Sequence, residues 1–547
     1  MKIKTLLFTL SISSLAAIAA SLPLPVDELE AKAEGFESVE AMHKYYASET
    51  IQLSVKNCED YIYEYEESDD YPFDPDDPGC YNMTKQFEDY MKEKGVNVKV
   101  VYSTYDTNEN LFNDLKTGKA NYDIIMPSDY MIQKMINEGM LEKLNPEITM
   151  QNVEDYLSPY LEGVFNNIKA ANGESISEYA RPYMWGTVGI MYSPSYYAIK
   201  GMSEEKIYED FQSYDVLYNP DYKSSISIKD SVRDLYAIGV VHIEEHKRQI
   251  TELQEKLHSG EMDADTYNKT INEIFNRCDD DTLRAVQADL IEMKNNSFGF
   301  EVDSGKNDMV TGMIGGNIAW SGDAVYAIDT ALEDYNVTLK FSIPTVNTAS
   351  NIWFDGLCIP KWSNYQPNEH IEIAQEFIDF LYIPEKAAMN MDYIGYTPGA
   401  AGDDILNLVQ SYYDVRYDEE TGEIGDGSGL VEGEDYVLYD LSYFFEGTVE
   451  DESQTIIWAD PESAEGALRA QYPAKEDLPY LAVMRDFGDR NLAVLDMWEN
   501  VKTSPIPVWL TVILIAEVSV GVGLAIYFGV AKFTKKKLRK ARRGETK

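Results

Sequence analysis

Strand-like and helix-like stretches alternate along this chain from about residue 50, and that alternation commits it to an α/β architecture. Period-2 apolar segments are predicted at 51–55, 96–102, 122–126, 183–192, 225–228, 317–320 and 351–360. Helical spacing follows at 108–115 with a stop at Gly118, and at 131–136 with a stop at Gly139. Further helices are predicted after Asp230 and Ser321, over 370–381 and 385–391, and from Asn491 onward. Strand–turn–helix units of this kind place their turn residues at the carboxyl edge of a sheet, where open α/β folds bind ligands. A chain of 547 residues supplies core for two or three such packed bodies.

The stretch 351–360, Asn-Ile-Trp-Phe-Asp-Gly-Leu-Cys-Ile-Pro, carries the most chemistry. Alternation along a strand sends Trp353 and Asp355 to the same face. A carboxylate beside an electron-rich ring suits a small organic cation. The decapeptide holds no Arg or Lys, which disfavours an anion.

Charge separates the body from the tail. The net charge is −49, yet 532–547 holds nine basic residues and one acid, leaving −57 on the rest. Such a field attracts cations and excludes nucleic-acid binding through the body. Residues 1–20 read as a signal peptide: Lys2 and Lys4, an apolar run from Leu6, then Ala17-Ile18-Ala19. The 26 residues of 506–531 are apolar except for Thr511, Glu517 and Ser519, long enough to span a bilayer. The basic tail 532–547 that follows is placed in the cytoplasm, and the acidic body outside. The expected protein is single-pass, in the cell membrane, with an extracellular (periplasmic-side) binding domain.

Four cysteines occur, and an exported chain permits disulfides. A Cys58–Cys80 bridge would close the acidic excursion between them, and Cys358 in its apolar strand reads as a buried free thiol. That excursion, 63–79, lacks the ordered spacing and central Gly of a calcium loop and reads as a solvated acidic loop. Residues 244–295 read as a surface helical insert. His242-Ile243-Glu244-Glu245-His246 fits an H-x-x-E-H pattern, but without a third ligand it reads as a solvated helix face. No G-x-S-x-G elbow or Walker loop occurs, so no enzyme, cofactor or metal is expected.

Taken in order, several pieces resemble the polyamine (spermidine/putrescine) binding proteins of ABC importers. They are Val101-Tyr102-Ser103-Thr104-Tyr105, the run 122–135, Tyr183-Met184-Trp185-Gly186, the run 230–234, Ile318-Ala319-Trp320-Ser321-Gly322, Trp353-Phe354-Asp355 and Ile394-Gly395-Tyr396-Thr397-Pro398. The resemblance implies a type II periplasmic-binding-protein fold, two lobes with a ligand cleft. The lobes would divide as 50–182 (lobe 1), 183–352 (lobe 2, with the insert) and 353–503 (lobe 1 return and C-terminal helices). It also implies capture of polyamine and delivery to ABC permease subunits; the alternative is another small cation or solute, for transport or sensing. By the same resemblance Asp355 holds an amine with Trp353 beside it, while Trp320 and Tyr396 wall the methylene chain. Tyr61, Ser128 and Tyr130 make first-lobe contacts, and Asp234 or Asp230 lies at the far end. The chain departs from the family at Cys58-Glu59, where Trp-Thr or Trp-Ser is common, and Arg485 would be a poor partner for an amine.

Overall fold

The computed structural model describes residues 50–503 apart from 69–71, 119–120, 303, 363–366 and 419. The expected signal peptide, membrane span, Glu517 and basic tail lie outside the described residues. Among the described residues no helix is long and apolar enough to cross a membrane.

Eleven strands form one sheet: β1 (Ile51–Cys58), β2 (Val98–Tyr105), β3 (Ile124–Ile125), β4 (Ala180–Tyr192), β5 (Ile226–Lys229), β6 (Gly299–Glu301), β7 (Gly316–Trp320), β8 (Lys340–Ser342), β9 (Ser350–Cys358), β10 (Thr397–Pro398) and β11 (Leu481–Val483). The path runs β2-β1-β3-β9-β4-β7-β5-β6, with β8 and β10 on β4 and β11 on β9. At one end β1 runs parallel to β2 and β3; at the other β5 runs parallel to β6 and β7. Between these parallel halves lie the two long strands β4 and β9, antiparallel to each other. Parallel strands are covered on both faces, and β5 is buried along its whole length, Ser227 and Lys229 included.

The helices that position the site are α1 (Asn108–Lys116), α2 (Asp129–Asn137), α3 (Val232–His242), α7 (Ser321–Tyr335), α8 (Asn368–Phe380) and α9 (Pro384–Ile394); α4 (Glu244–Ser259), α5 (Ala264–Phe275) and α6 (Asp280–Asn296) form the insert. Their caps are readable in sequence. Thr107 accepts from the Asn110 amide to open α1, Ser231 accepts from Asp234 to open α3, and Gly395 at φ 73° ends α9. The strand expected from residue 96 begins at Val98, because the Val96 amide is spent on the Met91 carbonyl as the preceding helix closes through Gly95 at φ 84°. A second unit, Leu495–Lys547, includes among its described residues the last turns of helix Asn491–Lys502.

The helical insert expected at 244–295 is three helices, exposed on one side and packed against the body of the fold on the other. Gly239 of α3 lies against Val286 and Leu290 of α6, where a methyl group would stand 3.0 Å from both side chains. On α5 and at its C-cap, Asn268 and Asn276 donate to the Leu481 and Val483 carbonyls, and Asn272 accepts from the Val483 amide.

The Cys58–Cys80 bridge is not formed, and all four cysteines are free. Cys80 turns its thiol toward the Pro72 carbonyl, whereas Cys58 ends β1 near Tyr105 and Asp355, where burial pushes its thiol up to about 12.

The pair His242 and His246 is no solvated face. His246 is 3 % exposed with its Nδ1 against the Val240 carbonyl, and His242 stacks on Tyr218 at 3.7 Å between Asp215 and Asp289. Both rings are committed to packing and pairing. No cluster of three or more metal-ligating side chains occurs among the described residues.

Candidate functional site

The site is built where β9 crosses the sheet. Phe354 faces away and packs edge-on against Phe165 at 5.9 Å, so Trp353 and Asp355 share the opposite face, as alternation dictates. Opposite them β4 carries Gly186 in register with Trp353, and a methyl group at Gly186 would stand 2.7 Å from the indole. The glycine is what lets the ring lie down on the neighbouring backbone. The β4–β9 register shifts between Pro182 and Met184, a bulge that contains Tyr183.

Asp355 is the hub. Ser128 Oγ donates to its Oδ1 at 2.7 Å and Tyr61 OH to its Oδ2 at 2.9 Å. Ser128 occupies the N-cap of α2, yet its hydroxyl does not cap; Asn108 holds it instead, donating to the hydroxyl and accepting from the Ser128 amide. Tyr61 is aimed by its own carbonyl, which accepts from Asn57 Nδ2 and Tyr183 OH, and it follows Asp60 at φ 49°. The Asp355 carboxyl is 9 % exposed, and burial lifts it to about 6 even though both hydroxyls favour the charged form. Among the described residues no lysine or arginine pairs with it.

Aromatic rings extend from this hub. Tyr396, placed directly after Gly395, stands 5.5 Å from Tyr61 and 5.6 Å from Trp353, both edge-on. Its hydroxyl reaches Asp323 of α7 at 3.4 Å. Asp323 pairs with Lys229 at the end of β5, and the Lys229 ammonium lies 4.4 Å from the centre of the Trp320 ring. Asp234 is buried nearby; burial raises its carboxyl, while Ser231, Lys229, the Trp320 indole and Arg233 oppose the shift. A cavity of about 270 Å³ opens beside Tyr61, lined by Glu59, Asp60, Glu64, Tyr102 and Thr104, on the side where the chain departs at Cys58-Glu59.

The structure thus brings Tyr61, Ser128, Trp353, Asp355 and Tyr396 into one contiguous cluster, linked through Asp323 to Trp320, and through Trp320 to Asp234. Tyr130 stands apart from the carboxylate: its ring is covered by the Arg233 guanidinium at 3.8 Å and its hydroxyl meets Glu109. Arg233 also covers Phe487 and donates to the Arg485 carbonyl, so Arg485 enters through its backbone. Asp230 is half-buried at the end of β5, its amide bonded to the Glu301 carbonyl. Sequence reasoning missed Lys229, Glu301, Asp323 and the buried Asp129, whose carboxyl burial lifts to about 7 against the pull of Arg233. A lysine closing the apolar run Ile226-Ser227-Ile228 was the available signal.

Comparison with known proteins adds a lineage to this geometry. Residues 85–402 match the family described as bacterial extracellular solute-binding protein. The chain is 30% identical to the putrescine-binding periplasmic protein SpuD of Pseudomonas aeruginosa over 324 residues, 59% of this chain and 76% of that protein. It is 26% identical over 368 residues to the spermidine/putrescine-binding periplasmic protein of Salmonella typhimurium, 64% of this chain and 88% of that one. A solved structure described as a putative spermidine/putrescine ABC transporter from Listeria monocytogenes shares the fold, with a TM-score of 0.51 and 23% identity over 83% of this chain and 99% of its own.

Proposed function

The chain belongs to the bacterial extracellular solute-binding proteins, a family of transporter components rather than enzymes, and from that premise we propose that its cleft captures an alkyl polyamine and presents it to an ABC permease. The observation that carries the ligand class is Asp355: a buried carboxylate met by two hydroxyls, walled by Trp353 and Tyr396, with no lysine or arginine paired to it among the described residues. A ligand ammonium supplies the missing positive charge through charge-assisted hydrogen bonds. The rings cover methylene groups and face ammonium groups, each such contact contributing ~0.5–2 kcal/mol.

In this reading β4 and β9 are the crossings between two lobes, so a contact at Trp353 or Asp355 acts where closure pivots. The span at 506–531 tethers the binding domain outside the cell, and the acidic body concentrates cations near it. Calorimetry on the full chain with putrescine, spermidine and a neutral sugar tests the proposal. Heat with an amine and none with the sugar supports it; no heat with any amine overturns it.

A further inference from the structure

Lys229 Nζ is coordinated as a bound ammonium ion would be. It lies 3.1 Å from Glu301 Oε1 and 3.3 Å from Asp323 Oδ2, and it donates to the Val302 carbonyl at 3.2 Å. Those three acceptors match the three donors of an ammonium group. The Trp320 ring provides the fourth side at 4.4 Å, and the side chain is 2 % exposed.

Each partner is itself committed. Glu301 pairs with Lys229 in register across parallel β5 and β6, and also accepts from Asn317 Nδ2 and the Gly305 amide. Asp323 is shared with Lys306 at 3.6 Å and with the Tyr396 hydroxyl. Glu301, Asp323 and the buried Asp234 thus stand against Lys229, Lys306 and Arg233 at this end, three acids against three cations. Asp355, at the other side of the Tyr396 ring, contrasts with this: among the described residues its partners are the Ser128 and Tyr61 hydroxyls and no lysine or arginine pairs with it.

We propose that Lys229 is a built-in ammonium that fills one amine station of the cleft, so that the site selects α,ω-diamines over triamines. The inference rests on reading the cleft as an amine site. A second ammonium brought against Trp320 would meet a like charge in a low-dielectric surround, where repulsion is least screened. A diamine held at Asp355 needs no second station there, whereas the third charge of a triamine does. Lys229 is on this account a specificity-determining residue.

Calorimetry on the full chain with putrescine and spermidine decides it. The wild-type protein binds putrescine at least on the order of tenfold more tightly than spermidine, and Lys229→Met moves that ratio toward spermidine by a similar factor, since Glu301 and Asp323 then lack their ammonium. Equal or tighter binding of spermidine by the wild type overturns the inference while leaving the amine reading intact. So does an equal loss of both affinities in a folded Lys229→Met. Should that variant not fold, the wild-type ratio alone gives the answer. Silence with both amines defeats the amine reading itself.

Discussion

Tyr396 lies flat against Gly322, so close that a methyl group on the glycine would stand 2.4 Å from the ring. The contact joins the segment after α9 to the first turn of α7, and it sets the distance between Tyr396 OH and Asp323. Gly322→Ala forces the ring away. The expected result is an amine affinity lowered by about tenfold or more, with thermal stability reduced by ~1–3 kcal/mol for the overpacked contact. Calorimetry and thermal denaturation read the two effects separately; unchanged affinity would remove the Tyr396 wall from the site.

Asp355→Asn is expected to weaken amine binding by about 100-fold, the ~3 kcal/mol of a strong charge-assisted hydrogen bond. The same change should stabilise the free protein at pH 7. A carboxyl lifted from 3.8 to about 6 makes the folded state bear up to about 3 kcal/mol of unfavourable ionisation, less whatever Asn loses with Ser128 and Tyr61. Thermal melts of the two proteins without ligand check the sign.

The pH dependence follows from the same group. Its folded value lies above its unfolded one, so the folded state holds the proton more tightly, and this carboxyl adds stability as pH falls through about 6 toward 4. Amine binding runs the other way, because it needs the carboxylate. Affinity should be flat above pH 7 and fall by roughly tenfold per unit below about 6. Isothermal titrations from pH 5 to 8 would expose a flat profile, which would take Asp355 out of ligand contact.

Arg233→Lys loses the planar stacking on Tyr130 and Phe487, and with it the guanidinium bond to the Arg485 carbonyl. A loss of ~1–2 kcal/mol in thermal stability is expected. A melting temperature equal to that of the wild type would show that this clamp contributes nothing.

Four thiols should titrate with a disulfide reagent in denatured, unreduced protein. In the native state Cys58 should react slowly, because burial holds its thiol at about 12 and the thiolate is the nucleophile. Two or no titratable thiols would restore a bridge.

Local pattern was enough to find β9 and to predict that Trp353 and Asp355 share a face, because strand alternation depends only on neighbours in sequence. The glycine stops after α1 and α2, Gly118 at φ 63° and Gly139 at φ 69°, were legible for the same reason. Lys229 was not, since its partner Glu301 lies beyond the whole three-helix insert and meets it only through parallel pairing. His246 read as solvated for a related reason. The charged sequence around it describes the exposed face of α4, while the Val240 carbonyl that it meets belongs to α3. Tyr130 carries the chemistry of a ligand contact, yet a guanidinium from across the sheet lies on its ring.

The asparagines of α5 give the insert a role beyond packing. Strand β11 pairs with β9 on one side only, and its other side would present open backbone groups. Asn268, Asn272 and Asn276, one turn apart, bind the Pro479, Leu481 and Val483 carbonyls and the Val483 and Arg485 amides. A helix thereby seals a sheet edge with side-chain amides in place of another strand. The edge is closed to recruitment by a neighbouring chain, the route by which exposed strands seed aggregation.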